Sequence, residues 1–128
     1  MNEHILLVED NSALQTLALK ILRHAGYEVS LAETGTAAVA TALGPDPPAL
    51  VLMDLALPEM DGWQATREIK AVRRDLTVVA VSANAMTTDR AESVAAGCNN
   101  FLSKPYSRED LLAMVAQYVG DAGVMRGG

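Results

Sequence analysis

The amino-acid sequence predicts an α/β fold of the doubly wound kind, a (βα)5 chain in which five short strands alternate with five helices. Three observations carry this. Brief apolar runs alternate with longer stretches of helical period. The third run, Leu50-Val51-Leu52-Met53, is apolar without interruption, as a parallel strand covered on both faces requires, and glycine or proline follows the helical stretches where helices must stop. At 128 residues the chain is a single domain of ordinary size that buries about two-thirds of its unfolded surface. Residues 1–120 are expected to form that domain, and the glycine-rich residues 121–128 a flexible C-terminal tail.

The first strand is Ile5-Leu6-Leu7-Val8. Leu14, Leu17, Ala18, Ile21, Leu22 and Ala25 then mark one face of a helix, and Gly26 follows where a C-terminal glycine belongs. Glu28-Val29-Ser30-Leu31 alternates like a strand nearer a sheet edge. An alanine-rich helix from about Thr36 to Leu43 ends at Gly44-Pro45, and a Pro45-Asp46-Pro47-Pro48 loop leads into the third strand. A helix over Trp63 to Arg73 is expected to turn Ala65, Ile69 and Val72 inward. Thr77-Val78-Val79-Ala80-Val81 is a β-branched strand ending at Ser82. The fourth helix, between Thr88 and Ala96, has only Ala91, Val94 and Ala95 as apolar anchors, so it is expected to be the most mobile. Asn100-Phe101-Leu102 forms a short last strand, and Ser107-Arg108-Glu109-Asp110 reads as a capping box opening a helix through Tyr118.

Composition narrows the function by exclusion. Half the residues are apolar and only 4% aromatic, so the core is aliphatic. Ten basic residues face 16 acidic ones, and the resulting charge of −6 argues against direct binding to nucleic-acid phosphates or an anionic membrane. A single cysteine, Cys98, cannot close an internal disulfide, and with His4 and His24 it does not make a structural zinc site. The composition fits a reducing, cytoplasmic setting. Met1-Asn2-Glu3-His4 lacks a basic stretch and the apolar run behind it stops at two acids, so neither a signal peptide nor membrane insertion is expected.

In open α/β sheets ligands bind beyond the carboxyl ends of the strands. Strand one ends in Glu9-Asp10, strand three in Asp54, strand four in Ser82, and strand five leads to Lys104, whereas strand two ends in Ala32-Glu33. Three carboxylates converging there repel one another unless a cation sits among them, and an all-oxygen donor set favours Mg²⁺ over zinc. A divalent ion and Lys104 together neutralise the three acids, which leaves Asp54 ionised and able to act as a nucleophile toward phosphorus, with Ser82 and Lys104 as donors to phosphoryl oxygens.

These residues stand in four motifs: Leu7-Val8-Glu9-Asp10-Asn11, then Met53-Asp54-Leu55-Ala56-Leu57-Pro58-Glu59-Met60-Asp61-Gly62, then Val81-Ser82-Ala83-Asn84-Ala85-Met86, and Phe101-Leu102-Ser103-Lys104-Pro105. In this order and spacing the chain, over about residues 4 to 119, resembles the receiver domain of two-component response regulators, the chemotaxis-regulator-like fold. The resemblance implies a flavodoxin-like three-layer sandwich with a parallel five-stranded sheet in the order 2-1-3-4-5. It implies that Asp54 is the phosphoacceptor, taking a phosphoryl group from a histidine kinase or a histidine phosphotransfer protein. Asp10 and Asp54 would bind Mg²⁺, for which Mn²⁺ can substitute, with Glu9 acting largely through water and the Ala56 carbonyl as a further ligand. Ser82 matches the switch hydroxyl, Lys104 the phosphate partner, here before a cis proline that would aim its ammonium over the site, and Phe101 the aromatic switch position. Ala56 and Asn84 flank the path of hydrolytic water. Phe101 stands where tyrosine is commoner and cannot signal through a hydroxyl. Trp63, near the acceptor loop, is a candidate fluorescence reporter.

By the same resemblance the domain is a signalling phosphoacceptor that promotes its own phosphotransfer and dephosphorylation rather than an enzyme. Its output would pass through the α4-β5-α5 face to a downstream protein, with the chain a monomer or weak homodimer. Two alternatives are a pseudo-receiver interaction module and a Mg²⁺-dependent phosphatase-like or topoisomerase-primase-like site. The latter need an Asp-x-Asp pair, and here Leu55-Ala56 follows the acceptor.

Overall fold

The computed structural model describes residues 3–57, 60–83 and 87–119. In chain order the elements are β1 (His4–Val8), α1 (Ser12–His24), β2 (Glu28–Ala32), α2 (Gly35–Ala42), β3 (Leu50–Asp54), α3 (Gly62–Val72), β4 (Thr77–Ser82), α4 (Thr87–Ala96), β5 (Asn100–Ser103) and α5 (Arg108–Val119). The five strands form one parallel sheet in the order β2-β1-β3-β4-β5, with β2 on the edge. The (βα)5 expectation and the strand order are therefore met. Among the described residues no helix is long and apolar enough to cross a membrane.

Alternate strand residues build two cores. Ile5, Leu7, Leu50, Leu52, Val79 and Val81 face Ala18 and Leu22 of α1 and Leu111, Val115 and Val119 of α5. Leu6, Val8, Val51, Met53 and Val78 face Ala38 and Ala42 of α2 and Ala65 and Ile69 of α3. Residues of both parities are needed inside, which is why the central strands are apolar without alternation.

Helix starts are set by side chains just outside the apolar periods. Asn11 Oδ1 accepts the Leu14 N–H at 3.0 Å, Thr34 Oγ1 that of Ala37 at 3.0 Å, and Asp61 Oδ1 that of Gln64 at 2.8 Å. Each cap satisfies an orphan donor of the first turn, so these helices begin one or two residues before the apolar pattern does. The capping box at α5 forms as expected: Ser107 Oγ accepts the Asp110 N–H at 3.0 Å, and Asp110 Oδ2 accepts the Ser107 N–H at 3.2 Å. Gly26 and Gly97, with φ of 101° and 104°, follow α1 and α4 in the left-handed region that favours glycine.

Several inward assignments are corrected. Leu17 is 50% exposed, and Gln15 is buried on α1 instead. Val72 is 69% exposed at the last turn of α3, where the helix runs past the sheet, and Thr66 takes the buried place, its hydroxyl donating to the Gly62 carbonyl at 2.7 Å. In α4 the three expected anchors, Ala91, Val94 and Ala95, all face outward, and among the described side chains of the helix the buried ones are Ser93 and Ala96. The helix is rotated so that a polar residue points inward, for which the reason lies in its contact with α3, described below. The expected tail and Asn84 lie outside the described residues, as do the Pro58-Glu59 and Ala85-Met86 parts of the motifs.

Candidate functional site

Strand register brings the candidate residues to one rim. Val8 pairs with Met53, so Glu9 and Asp54, each the next residue, emerge side by side. Asp54 pairs with Val81, placing Ser82 one step beyond it, and Ser82 pairs with Ser103, placing Lys104 next in line. In a sheet ordered 2-1-3-4-5 the crevice between β1 and β3 is the topological switch point, and the acids sit at its mouth.

Ligand oxygens of Glu9, Asp10 and Asp54 all lie within 4.8 Å of one another, with Asp10 exposed and the other two buried. Lys104 Nζ donates to Glu9 Oε1 at 2.9 Å and to Asp54 Oδ2 at 3.2 Å, bridging the two buried acids. The Lys104–Pro105 peptide is cis, as the family resemblance implied. Main-chain bonds hold the rim together: the Ala56 N–H donates to Asp54 Oδ1 at 3.0 Å, the Leu55 N–H to the Val81 carbonyl at 3.1 Å, and the Lys104 N–H to the Ser82 carbonyl at 2.7 Å.

Burial dominates the electrostatics of Asp54. Its burial, reinforced by the neighbouring Glu9 carboxyl, raises its pKa from 3.8 to about 6, against the opposing pull of the Ala56 N–H and the Lys104 ammonium. Burial works against the Lys104 ammonium too, but Glu9 and Asp54 outweigh it and hold its pKa above the ordinary value. The cluster is thus short of positive charge even with Lys104 in place. Three carboxylates at one mouth, one of them facing solvent, form a hard, all-oxygen donor set suited to Mg²⁺.

Ser82 is buried at the end of β4. Phe101 is buried in a small cluster with Leu55 and Ala80, against which Trp63 and Cys98 pack. Ala56, one of the two positions expected to flank the path of hydrolytic water, is exposed at the mouth. Beside Lys104 a pocket of about 390 Å³ is lined by Leu14, Leu17, Ala83, Pro105 and Tyr106, which accounts for the outward turn of Leu17.

Two supports escaped the sequence reasoning. Gln15 Nε2 donates to the Glu9 carbonyl at 2.7 Å, fixing the end of β1 to α1. Its only signal was a polar residue inside the apolar helical period. Gly62 lies so close to the end of β3 that a Cβ there would stand 2.4 Å from the Asp54 carbonyl oxygen. Its position before a helix suggested only a loop residue.

Fold and site together define a doubly wound domain with an acidic, lysine-bridged pocket at its switch point. The chain matches the model of the response regulator receiver domain over residues 5–116 and belongs to that family. It is 34% identical over 118 residues to the transcription factor SKN7 of Saccharomyces cerevisiae, a match covering 92% of this chain and 19% of that protein. To the transcriptional regulatory protein HprR of Escherichia coli it is 35% identical over 111 residues, covering 87% of this chain and 49% of that protein. The chain therefore spans half or less of the length of these relatives. Among solved structures, the receiver domain of the sensor histidine kinase PA1611 from Pseudomonas aeruginosa matches with a TM-score of 0.87 at 39% identity, covering 94% of this chain and 100% of that one. That crystal structure has a magnesium ion coordinated in its active-site cleft.

Proposed function

We propose that this domain is a cytoplasmic phosphoacceptor of a two-component or phosphorelay system, with Asp54 receiving a phosphoryl group from a histidine kinase or a histidine phosphotransfer protein. The observation that carries the reading is the Lys104 ammonium bridging Glu9 and Asp54 at 2.9 and 3.2 Å, in the mouth where a phosphoryl group on Asp54 would lie. With its pKa about 6, Asp54 is mostly ionised at pH 7. An Asp54 carboxylate oxygen attacks phosphorus while the phosphorus–nitrogen bond to the donor histidine breaks; the imidazole nitrogen keeps that electron pair and takes a proton. The product is an acyl phosphate. Bound Mg²⁺, held by Glu9, Asp10 and Asp54 with the Ala56 carbonyl as a further ligand, would offset the negative charge of the phosphoryl oxygens. Lys104 donates to one phosphoryl oxygen and the Ser82 hydroxyl to another. The apolar pocket beside Lys104 offers contact surface to the donor protein. Ala56 and Asn84 set the access of water and so the lifetime of the acyl phosphate.

Acyl phosphate carries more negative charge than the carboxylate it replaces, and Ser82 turning toward it vacates space that Phe101 fills, remodelling the α4-β5-α5 face for a downstream protein. Treatment with acetyl phosphate is expected to add one phosphoryl mass to the parent in the presence of Mg²⁺, and none without Mg²⁺ or in Asp54→Asn. Mass gain in Asp54→Asn equal to that of the parent would overturn the assignment. Ser82→Ala is expected to remain phosphorylated while binding the downstream protein at least tenfold more weakly than the phosphorylated parent, a loss of about 1.4 kcal/mol readable by calorimetry. Equal binding by the two phosphorylated proteins would remove Ser82 from the switch.

A further inference from the structure

The inward turn of Ser93 has a partner. Trp63 Nε1, in the first turn of α3, donates to Ser93 Oγ on α4 at 3.3 Å. Ser93 is 2% exposed, while Val94 beside it is 74% exposed, and Ala91 and Ala95 also face solvent. The middle of α4 is therefore docked through a polar contact, where an apolar stripe would ordinarily serve. Trp63 also packs on the cluster of Leu55, Ala80 and Phe101. Leu55 directly follows Asp54, and the Gly62 N–H donates to the Leu55 carbonyl at 3.3 Å. Trp63 thus packs on the cluster that holds Leu55, the residue after Asp54, and the aromatic switch candidate Phe101, and it is hydrogen-bonded to α4.

We propose that the Trp63–Ser93 hydrogen bond is a latch that holds α4 against α3, and that displacement of Phe101 releases it, which makes Trp63 the positioning residue between the acidic site and α4. The second half of this inference rests on the phosphoacceptor reading above; the first does not. The closely packed cluster on which Trp63 rests cannot lose Phe101 without repacking, and a hydrogen bond already at 3.3 Å tolerates little shift of the Trp63 ring. Among the described residues of α4 the only buried apolar side chain is Ala96, so loss of that bond has little apolar packing to offset it.

Amide hydrogen exchange of α4 tests both halves. In the unliganded protein Ser93→Ala and Trp63→Phe should each raise exchange of α4 amides about fivefold, and the double variant no further, since both remove one bond. Alanine is a better helix former than serine, so a purely local effect of Ser93→Ala has the opposite sign. Amides of β3 and β4 should stay protected in all three variants. Beryllofluoride with Mg²⁺, a stable phosphoryl mimic, should raise α4 exchange in the parent but add little in Ser93→Ala. Unchanged α4 exchange in Ser93→Ala, or additive effects in the double variant, would overturn the latch. An α4 that ignores bound beryllofluoride would overturn the release. Fluorine NMR reads beryllofluoride binding separately, so an absent bound signal counts against the phosphoacceptor reading while the unliganded variants still judge the latch.

Discussion

Asp54→Asn is expected to stabilise the metal-free protein at pH 7 by about 1–2 kcal/mol after allowance for solvent screening, and the gain should disappear as the pH falls toward 4. The folded pKa of Asp54 is about 6 against 3.8 for the free side chain, with burial as the leading cause and Glu9 adding to it. Between those values the folded state holds a proton that the unfolded state has released. Stability from this group is therefore fully present below pH 3.8 and is lost as the pH rises through 6. Asparagine has no such proton, so the difference between the two proteins grows from pH 4 to about 6.5 and is flat above. Urea denaturation of both proteins across that range checks it, and a pH-independent difference would show that the buried charge is not the cause. Saturating Mg²⁺ should raise the stability of the parent and narrow the gap, because a ligand bound only to the folded state stabilises it in proportion to the logarithm of its concentration over Kd. The same excess of negative charge that destabilises the metal-free protein is what gives the pocket affinity for a cation.

Gly62→Ala is expected to cost about 2–3 kcal/mol, at the upper end of overpacking effects. The added Cβ would stand 2.4 Å from the Asp54 carbonyl oxygen, 2.8 Å from Leu55 Cα and 3.0 Å from Leu55 Cδ2. Two of these are main-chain atoms at the end of β3, held between β1 and β4, so relief must come from moving α3 outward. Helix propensity alone would favour alanine by about 1 kcal/mol, so the sign of the change separates steric clash from propensity. Val72→Ala, at a position 69% exposed on the same helix, should stay within about 0.5 kcal/mol of the parent. Equal denaturation midpoints for Gly62→Ala and the parent would mean that α3 is free to shift away from β3. An outward shift of α3 would also carry Trp63 away from the strand end, so this variant is expected to loosen α4.

The order of elements was legible because each type leaves a periodic trace in the sequence. The unbroken run Leu50 to Met53 fits a strand covered on both faces, and both cores draw on alternate residues of it. The site residues Glu9, Asp10, Asp54, Ser82 and Lys104 were legible for a related reason: each directly follows, or lies within two residues of, the end of an apolar run, and parallel strands place all such ends on one rim. The order 2-1-3-4-5 was not periodic information and came from the family resemblance, which the observed sheet bears out.

Helix faces were less legible where apolar residues were sparse. Val94 looked like an anchor by composition, yet α4 turns Ser93 inward instead, where Trp63, 30 residues earlier in the chain, donates to it. Leu17 matched the period of α1 and still faces outward, because Gln15 is drawn in by the Glu9 carbonyl and an apolar pocket forms beside Lys104. By itself, then, the sequence determined the alternation of strands and helices and the identities of the acidic-pocket residues, since both depend on local periodicity and on where each run ends. Only the tertiary structure decided that Ser93 turns inward and how Lys104 bridges Glu9 and Asp54, because hydrogen bonds between segments 30 to 95 residues apart leave no periodic trace in the chain.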